Sequence, residues 1–163
     1  MSRRLLIRGA EVVVTMDGAR REIAGGDVLI DGGVILAVGT NLSSEGAEIV
    51  NARGCVVTPG FVNTHHHLFQ TLTRAVPAAQ DAALFGWLRT LYPIWGRMGP
   101  DDIRLSTQIG LAELALSGCT CSSDHLYLFP NGARLDDSIE AASEIGIRFT
   151  ATRGAMSIGE SKG

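Results

Sequence analysis

The sequence predicts an α/β protein: a parallel sheet assembled from βα units, preceded by a small all-β module. Two observations carry that prediction. Residues 1–58 are short β-branched runs separated by glycine. From Thr58-Pro59-Gly60 onward, over residues 59–163, apolar strands alternate with amphipathic helices. Such alternation is the pattern of strands joined in parallel through helical crossovers.

In the N-terminal module, Val12-Val13-Val14-Thr15 reads as a strand closed by a turn at Asp17-Gly18. Asp27 to Ile30, then Asp31-Gly32-Gly33, then Val34 to Val38, reads as a hairpin, because its tight turn needs residues that accept positive φ. A further strand pair is expected at Glu48 to Val50 and Cys55 to Val57, around Asn51-Ala52-Arg53-Gly54. Glycine makes up 20 of the 163 residues, well above the roughly 7% of average usage, and suits many turns between short elements.

Phe61-Val62-Asn63 begins the second part as a short apolar strand running into His65-His66-His67. Asp81 to Met98 is an aromatic-rich amphipathic stretch, with Leu84, Leu88 and Leu91 at helical spacing until Pro93 interrupts it. Pro100 to Ser117 predicts a helix, with Pro100 in the first turn, Asp101 and Asp102 at the positive end of its dipole and Gly118 as the stop. Its apolar face is read as Leu105, Ile109, Ala112 and Leu116. Cys119 to Ser123 follows as a strand, Leu135 to Ile145 as a helix stopped by Gly146, and Ile147, Phe149 and Ala151 alternate along a last strand.

Residues 59–163 supply between two and three βα units, whereas a closed (β/α)8 barrel takes about 250 residues. The chain is therefore an open doubly wound sheet or the beginning of a longer protein. The last strand runs through Gly154 into a loop over Ser157 to Gly163 with no helix after it. Parallel sheets are covered on both faces, which favours a truncated or partial chain.

Charge and cysteine content narrow the function. Fourteen Lys and Arg against 17 Asp and Glu leave a formal net charge of -3, so no basic field exists to hold nucleic acid or an anionic bilayer. Three cysteines, an odd number, argue against a disulfide framework and fit a reducing compartment. The apolar run Leu5-Leu6-Ile7 after Ser2-Arg3-Arg4 is broken by Arg8 and Glu11, too early for a signal core, and no run approaches a membrane span. A cytoplasmic address is expected.

The residues that carry chemistry are Pro59 to His67. Along a strand, residues i and i+2 share a face, so His65 and His67 are expected to point together and His66 away. Two imidazoles at the C-terminal end of a barrel strand are half of a metal site, and imidazole suits Zn, Fe, Ni or Cu better than Mg or Ca. A solvated His-rich loop is the plainer alternative. Cys119-Thr120-Cys121 with Asp124-His125 reads first as small residues packed in a core, with Asp124 and His125 candidates for the pocket mouth. Trp87 and Trp95 are read as core or as a wall over a flat ring, and Arg74 and Arg153 as minor candidates.

Taken together, the β-module with its Gly-Gly hairpin, the strand Val56-Val57-Thr58-Pro59-Gly60-Phe61-Val62-Asn63 and the HxH after it resemble the start of the amidohydrolase superfamily. The resemblance covers essentially the whole chain. It implies a small β-sandwich leading into a (β/α)8 metal-dependent hydrolase barrel, of which residues 59–163 are the first two to three βα units, with His65 and His67 as metal ligands. Asn63 to Arg74, with Leu84-Phe85-Gly86-Trp87-Leu88 and Leu91-Tyr92-Pro93-Ile94-Trp95, looks like the deaminase and chlorohydrolase branch, nearest to 8-oxoguanine deaminases and s-triazine relatives. Related guanine deaminases carry a purine-binding glutamine three residues past the second His, where Gln70 stands here; an amide offers a ring both donor and acceptor.

What the resemblance implies for activity is one divalent ion, Zn before Fe, and hydrolytic removal of an amine from an aminated heterocycle, 8-oxoguanine or a related purine first and an s-triazine second. Gln70 and Trp87 are the substrate-contact candidates. The family's catalytic acid and base have no counterpart in these 163 residues and are expected beyond Gly163. The expected partner is a small heterocyclic substrate, with a homodimer open and neither nucleic acid nor membrane. A non-catalytic assembly protein of the same fold is the rival reading, against which the intact HxH counts; a stand-alone αβ binding module is another, disfavoured by the bare last strand.

Overall fold

The computed structural model describes residues 4–155, and the loop expected over Ser157 to Gly163 lies outside them. The chain divides into two compact units, Met1–Pro59 and Gly60–Gly163.

In the first unit, β1 (Arg4–Arg8), β4 (Asp27–Asp31), β5 (Val34–Gly39) and β6 (Glu48–Asn51) form one sheet in the order β5-β4-β1-β6. A second sheet has the order β3-β2-β7, from β2 (Val12–Val14), β3 (Glu22–Ala24) and β7 (Val56–Val57). The expected hairpin is present: Asp31 pairs with Val34, leaving Gly32 and Gly33 as a two-residue turn with φ of 57° and 82°, which only glycine takes without strain. The strands at 48–51 and 56–57 exist but do not pair with each other, correcting the sequence reading. β6 runs parallel to β1, and β7 runs parallel to β2. Their link is a bend rather than a hairpin turn: Ala52 N–H donates to Arg8 at 2.9 Å and Glu11 N–H to Cys55 at 3.0 Å, so two neighbouring chain segments pass from one sheet to the other side by side.

Both sheets supply one apolar core, with Ala10, Val13, Val28 and Ala52 buried among Ile7, Ile23 and Val57. Asp27 ties this core to its rim. Its carboxylate is buried and accepts Gly9 N–H at 2.8 Å and Leu42 N–H at 3.0 Å, so both oxygens have the partners that burial demands.

The second unit is a parallel sheet of β8 (Phe61–Asn63), β9 (Cys119–Leu126) and β10 (Arg148–Arg153), in the order β10-β9-β8. β8 reaches β9 through α1 (Leu84–Trp95) and α2 (Pro100–Leu116), and β9 reaches β10 through α3 (Leu135–Ile145). α1 passes Pro93 and ends at Trp95, two residues later than expected. Only the last turn lies beyond the proline; Gly96 N–H still donates to Tyr92 at 2.8 Å, and the buried Leu91 and Trp95 pin it. Gly118 and Gly146 stop α2 and α3 at φ of 88° and 80°.

The buried face of α2 differs from the sequence reading. Leu105 and Leu116 are exposed, and the helix buries Ile103, Ser106, Thr107, Gly110 and Leu111. Small residues win this face because α2 lies close against its neighbours. A Cβ on Gly110 would stand 2.6 Å from Leu68 Cδ2, and the buried hydroxyls have partners, Ser106 on the Leu68 carbonyl at 2.7 Å and Thr107 on Ser138 at 3.3 Å. Along β9, Ser122, Asp124 and Leu126 are buried while Cys121, Ser123 and His125 alternate with them, as the two-residue period requires. No described helix is long and apolar enough to cross a membrane.

Candidate functional site

β8 ends at Asn63, whose Oδ1 accepts the backbone N–H of His65 at 3.2 Å. That turn takes the chain out of the ladder, so His65, His66 and His67 stand in the loop at the C-terminal end of β8 rather than on the strand. His65 and His67 nonetheless come together, with ring centroids 5.2 Å apart and planes at 86°. Two imidazoles sharing one tetrahedral ion at bonds of roughly 2.0–2.1 Å would have centroids roughly 5 Å apart. His67 Nδ1 lies 2.9 Å from the carbonyl oxygen of His125. A carbonyl can only accept, so Nδ1 is the donor, and in the neutral ring that arrangement leaves on Nε2 the lone pair a metal takes. The donor pair therefore fits a divalent ion.

It is half a coordination sphere at most, since no group of three or more His, Cys, Asp or Glu among the described residues is placed to hold a metal. Cys119, Cys121, Asp124 and His125 accordingly form no second centre. All three cysteines are free, Cys119 buried and Cys121 partly so.

His66 stands between the two in the same loop. It lines a hollow of about 330 Å³ with His65, His67, Gln70, Arg74 and Glu113, and a second of about 180 Å³ with His65, His67, Asp124 and His125. The Nδ1 of His66 is buried with no partner among the described residues; burial, then the neighbouring His67 and His65, lower its pKa.

The histidine loop is held from below. Leu68, next to His67 and fully buried, donates its N–H to Asp124 Oδ1 at 2.7 Å and accepts at its carbonyl from Ser106 Oγ at 2.7 Å and Thr71 Oγ1 at 2.8 Å. Asp124 is 2% exposed, and its other oxygen has no partner among the described residues. Burial raises its pKa, opposed by the Leu68 N–H bond and by His67. Asp124, a sequence candidate for the pocket mouth, lines the smaller hollow and is also the post under the histidine loop.

Gln70 sits in the 3-10 turn Leu68–Thr73 and borders the larger hollow. Its Nε2 donates to the Tyr127 hydroxyl at 3.0 Å. Tyr127, which the sequence reading passed over, stands edge-on to His67 at 5.2 Å and to Phe69 at 5.1 Å, and burial raises its pKa. The available signal was the strand period, which puts Tyr127 two residues past His125. Trp87 is half-buried and edge-on to Trp95 at 5.2 Å, against the core of Phe69, Leu91 and Trp95. Trp95 is wholly core, its Nε1 donating to Thr73 at 2.9 Å. Arg74 grips Glu113 through two bonds of 2.5 and 2.6 Å, and that bond is the main cause of a raised Arg74 and a lowered Glu113 pKa. Arg153 lies over the Phe129 ring at 5.0 Å.

Comparison with known proteins bears on this arrangement. Residues 56–163 match the profile described as the amidohydrolase family. The chain is 44% identical to an 8-oxoguanine deaminase of Pseudomonas aeruginosa, covering 98% of this chain and 36% of that protein. It is 34% identical to a hydroxydechloroatrazine ethylaminohydrolase of Pseudomonas sp. strain ADP, covering 97% and 36%. Its fold superposes on a crystal structure of an atrazine chlorohydrolase from Arthrobacter aurescens TC1 complexed with zinc at a TM-score of 0.89, with 36% identity over 98% of this chain and 37% of that one. The chain thus spans about a third of the length of these relatives.

Proposed function

The chain belongs to the amidohydrolase family, and on that premise we propose that it is the N-terminal part of a metal-dependent hydrolytic deaminase of an aminated heterocycle, 8-oxoguanine or a related purine. Three consecutive parallel strands with crossover helices, after a two-sheet β-module, suit the first strands of a (β/α)8 barrel behind a small β-sandwich. The observation that carries the reading is the His65–His67 pair with its tautomer set by the His125 carbonyl.

In this proposal His65 and His67 hold one divalent ion, zinc by the chemistry of an imidazole pair. Such an ion supplies a water that ionises near neutral pH. The chain's own residues do the rest of what this segment offers. The His125 carbonyl keeps the Nδ1 proton of His67 in place, Asp124 and Ser106 fix the backbone on which His67 is carried, and Gln70 presents an amide to the edge of a flat ring. The reaction exchanges a ring amine for oxygen from water and releases ammonia. An s-triazine is the second reading, supported by the likeness to the triazine-hydrolysing relatives.

The test uses the full-length protein. His65→Ala and His67→Ala should each strip the metal and abolish ammonia release from 8-oxoguanine, guanine and an amino-triazine, whereas His66→Ala should keep its metal. Elemental analysis reads the first quantity and an ammonia assay the second. Equal metal loss in all three variants, or full activity without His65 and His67, would sink the assignment.

A further inference from the structure

The two histidines of the pair are fastened from different places. From His66 onward the loop is held by β9: His125 N–H donates to the His66 carbonyl at 2.9 Å, His67 Nδ1 to the His125 carbonyl at 2.9 Å, and Leu68 N–H to Asp124 Oδ1 at 2.7 Å. None of these bonds reaches His65. Its main-chain N–H goes instead to Asn63 Oδ1 at 3.2 Å, two residues back in its own chain. Which end of the Asn63 amide makes this bond is fixed by chemistry, because an N–H needs a lone pair and the amide nitrogen offers none.

Asn63 is well placed to act as a post. It is the last residue of β8, and its backbone is still registered against Ser122 of β9. Its side-chain oxygen therefore starts from a fixed strand and closes on a residue just outside it, standing in for the carbonyl of a backbone turn. His65 is exposed whereas His67 is half-buried, so packing does less to hold the first histidine than the second. With the Asn63 oxygen removed, the His65 N–H would pass to water and the chain at Thr64 and His65 would be free to continue as extended strand.

We infer that Asn63 is the positioning residue of His65: its Oδ1 turns the chain out of the β8 ladder and sets the first imidazole facing the second, at the observed 5.2 Å between ring centroids. The assignment rests on the reading of His65 as a metal ligand. It gives the pair two separate supports, Asn63 from the histidines' own strand and Asp124 with His125 from the neighbouring one. A loop that spends only part of its time in the binding geometry has its Kd raised by the inverse of that fraction, so loss of the turn is read directly as metal affinity.

The experiment is chelator competition for zinc on the full-length protein, well below its unfolding temperature. Asn63→Leu removes the acceptor at nearly equal shape, Asn63→Ala removes it by truncation, and Asn63→Asp keeps it. Losing one neutral hydrogen bond corresponds to about 3- to 10-fold, expected as a raised zinc Kd in both Asn63→Leu and Asn63→Ala. Asn63→Asp should stay within about twofold of the parent or bind more tightly, since an added negative charge favours a nearby cation. Denaturant unfolding of the metal-free variants, run in parallel, separates positioning from stability: a residue that merely ends the strand would lower the midpoint and leave the Kd where it was. An unchanged Kd in either acceptor-free variant, equal weakening in Asn63→Asp, or loss of folded structure in both acceptor-free variants would overturn the inference while leaving His65 a ligand. Zinc retained in full by His65→Ala would instead overturn the reading on which it rests.

Discussion

Replacing Asp124 tests whether the histidine loop is held from the neighbouring strand. Asp124 Oδ1 takes the Leu68 N–H at 2.7 Å, and Leu68 is 0% exposed, so water cannot replace the lost partner in Asp124→Ala. A hydrogen bond to a carboxylate contributes about 1.5–3 kcal/mol, and a stranded buried donor puts the cost at the upper end, about 3 kcal/mol. Asp124→Asn keeps an acceptor for Leu68 and should cost about 1–2 kcal/mol, because its amide NH2 takes the place of an oxygen with no partner among the described residues and would itself be buried without an acceptor. Leu68 follows His67 directly, so the two variants should part in metal affinity. Loss of a group that orients a ligand weakens binding by about 10- to 100-fold, expected for Asp124→Ala, with Asp124→Asn near the parent. Denaturant unfolding and chelator competition on the full-length protein measure the two quantities. Equal weakening in both variants would show that charge, not the clamp, matters; unchanged affinity in Asp124→Ala would refute the clamp outright.

Other expectations are more local. Gly110→Ala brings a Cβ to 2.6 Å from Leu68 Cδ2 and 2.9 Å from Thr71 Oγ1; overpacking of about 1–3 kcal/mol exceeds the helix-propensity gain of about 1 kcal/mol, so denaturant midpoints should fall. Trp95→Ala empties the centre of the Phe69–Leu91 core and removes the Nε1 donor from Thr73 Oγ1, at about 3–5 kcal/mol by the same measurement. Asp17 should titrate at about 2 by NMR, held down chiefly by the Arg21 hydrogen bond and then by Thr15. Because its folded pKa is depressed, the contribution is present above the ordinary value of 3.8 and lost as pH falls through about 2. Arg21→Ala should return the midpoint toward 3.8.

Features written in adjacent residues were legible in the sequence. Asp31-Gly32-Gly33 between β-branched runs becomes the two-residue hairpin, and Leu135 to Ile145 becomes α3 with Gly146 left-handed behind it. Features that depend on what an element meets were not. The apolar count on α2 favours Leu105 and Leu116, yet close approach to the Leu68 turn gives the inner face to Ser106 and Gly110. Hydroxyls that satisfy a carbonyl or each other count as buried residues, and no hydropathy pattern registers them. β6 and β7 likewise follow one another in sequence, but their partners are β1 and β2, set by a shared bend around Ala10 and Ala52 that no local signal announces.

The same reasoning separates the halves of the site. His65 and His67 are neighbours in sequence, and any reading of the strand end finds them. The residues that make them a centre come from β9 and just after it, roughly sixty positions away, through a parallel register in which Asn63 pairs with Ser122. Extending that pairing past the strand end sets His125 N–H on the His66 carbonyl at 2.9 Å, its own carbonyl on His67, and Tyr127 within reach of Gln70. A shift of that register by one residue would exchange the buried Asp124 for a neighbour on the opposite face and leave Leu68 unpaired. The histidine pair is thus specified locally, but its footing and the partner of His67 Nδ1 are specified by strand pairing, so on the proposed metal site variants in β9 should weaken metal binding without altering His65 or His67.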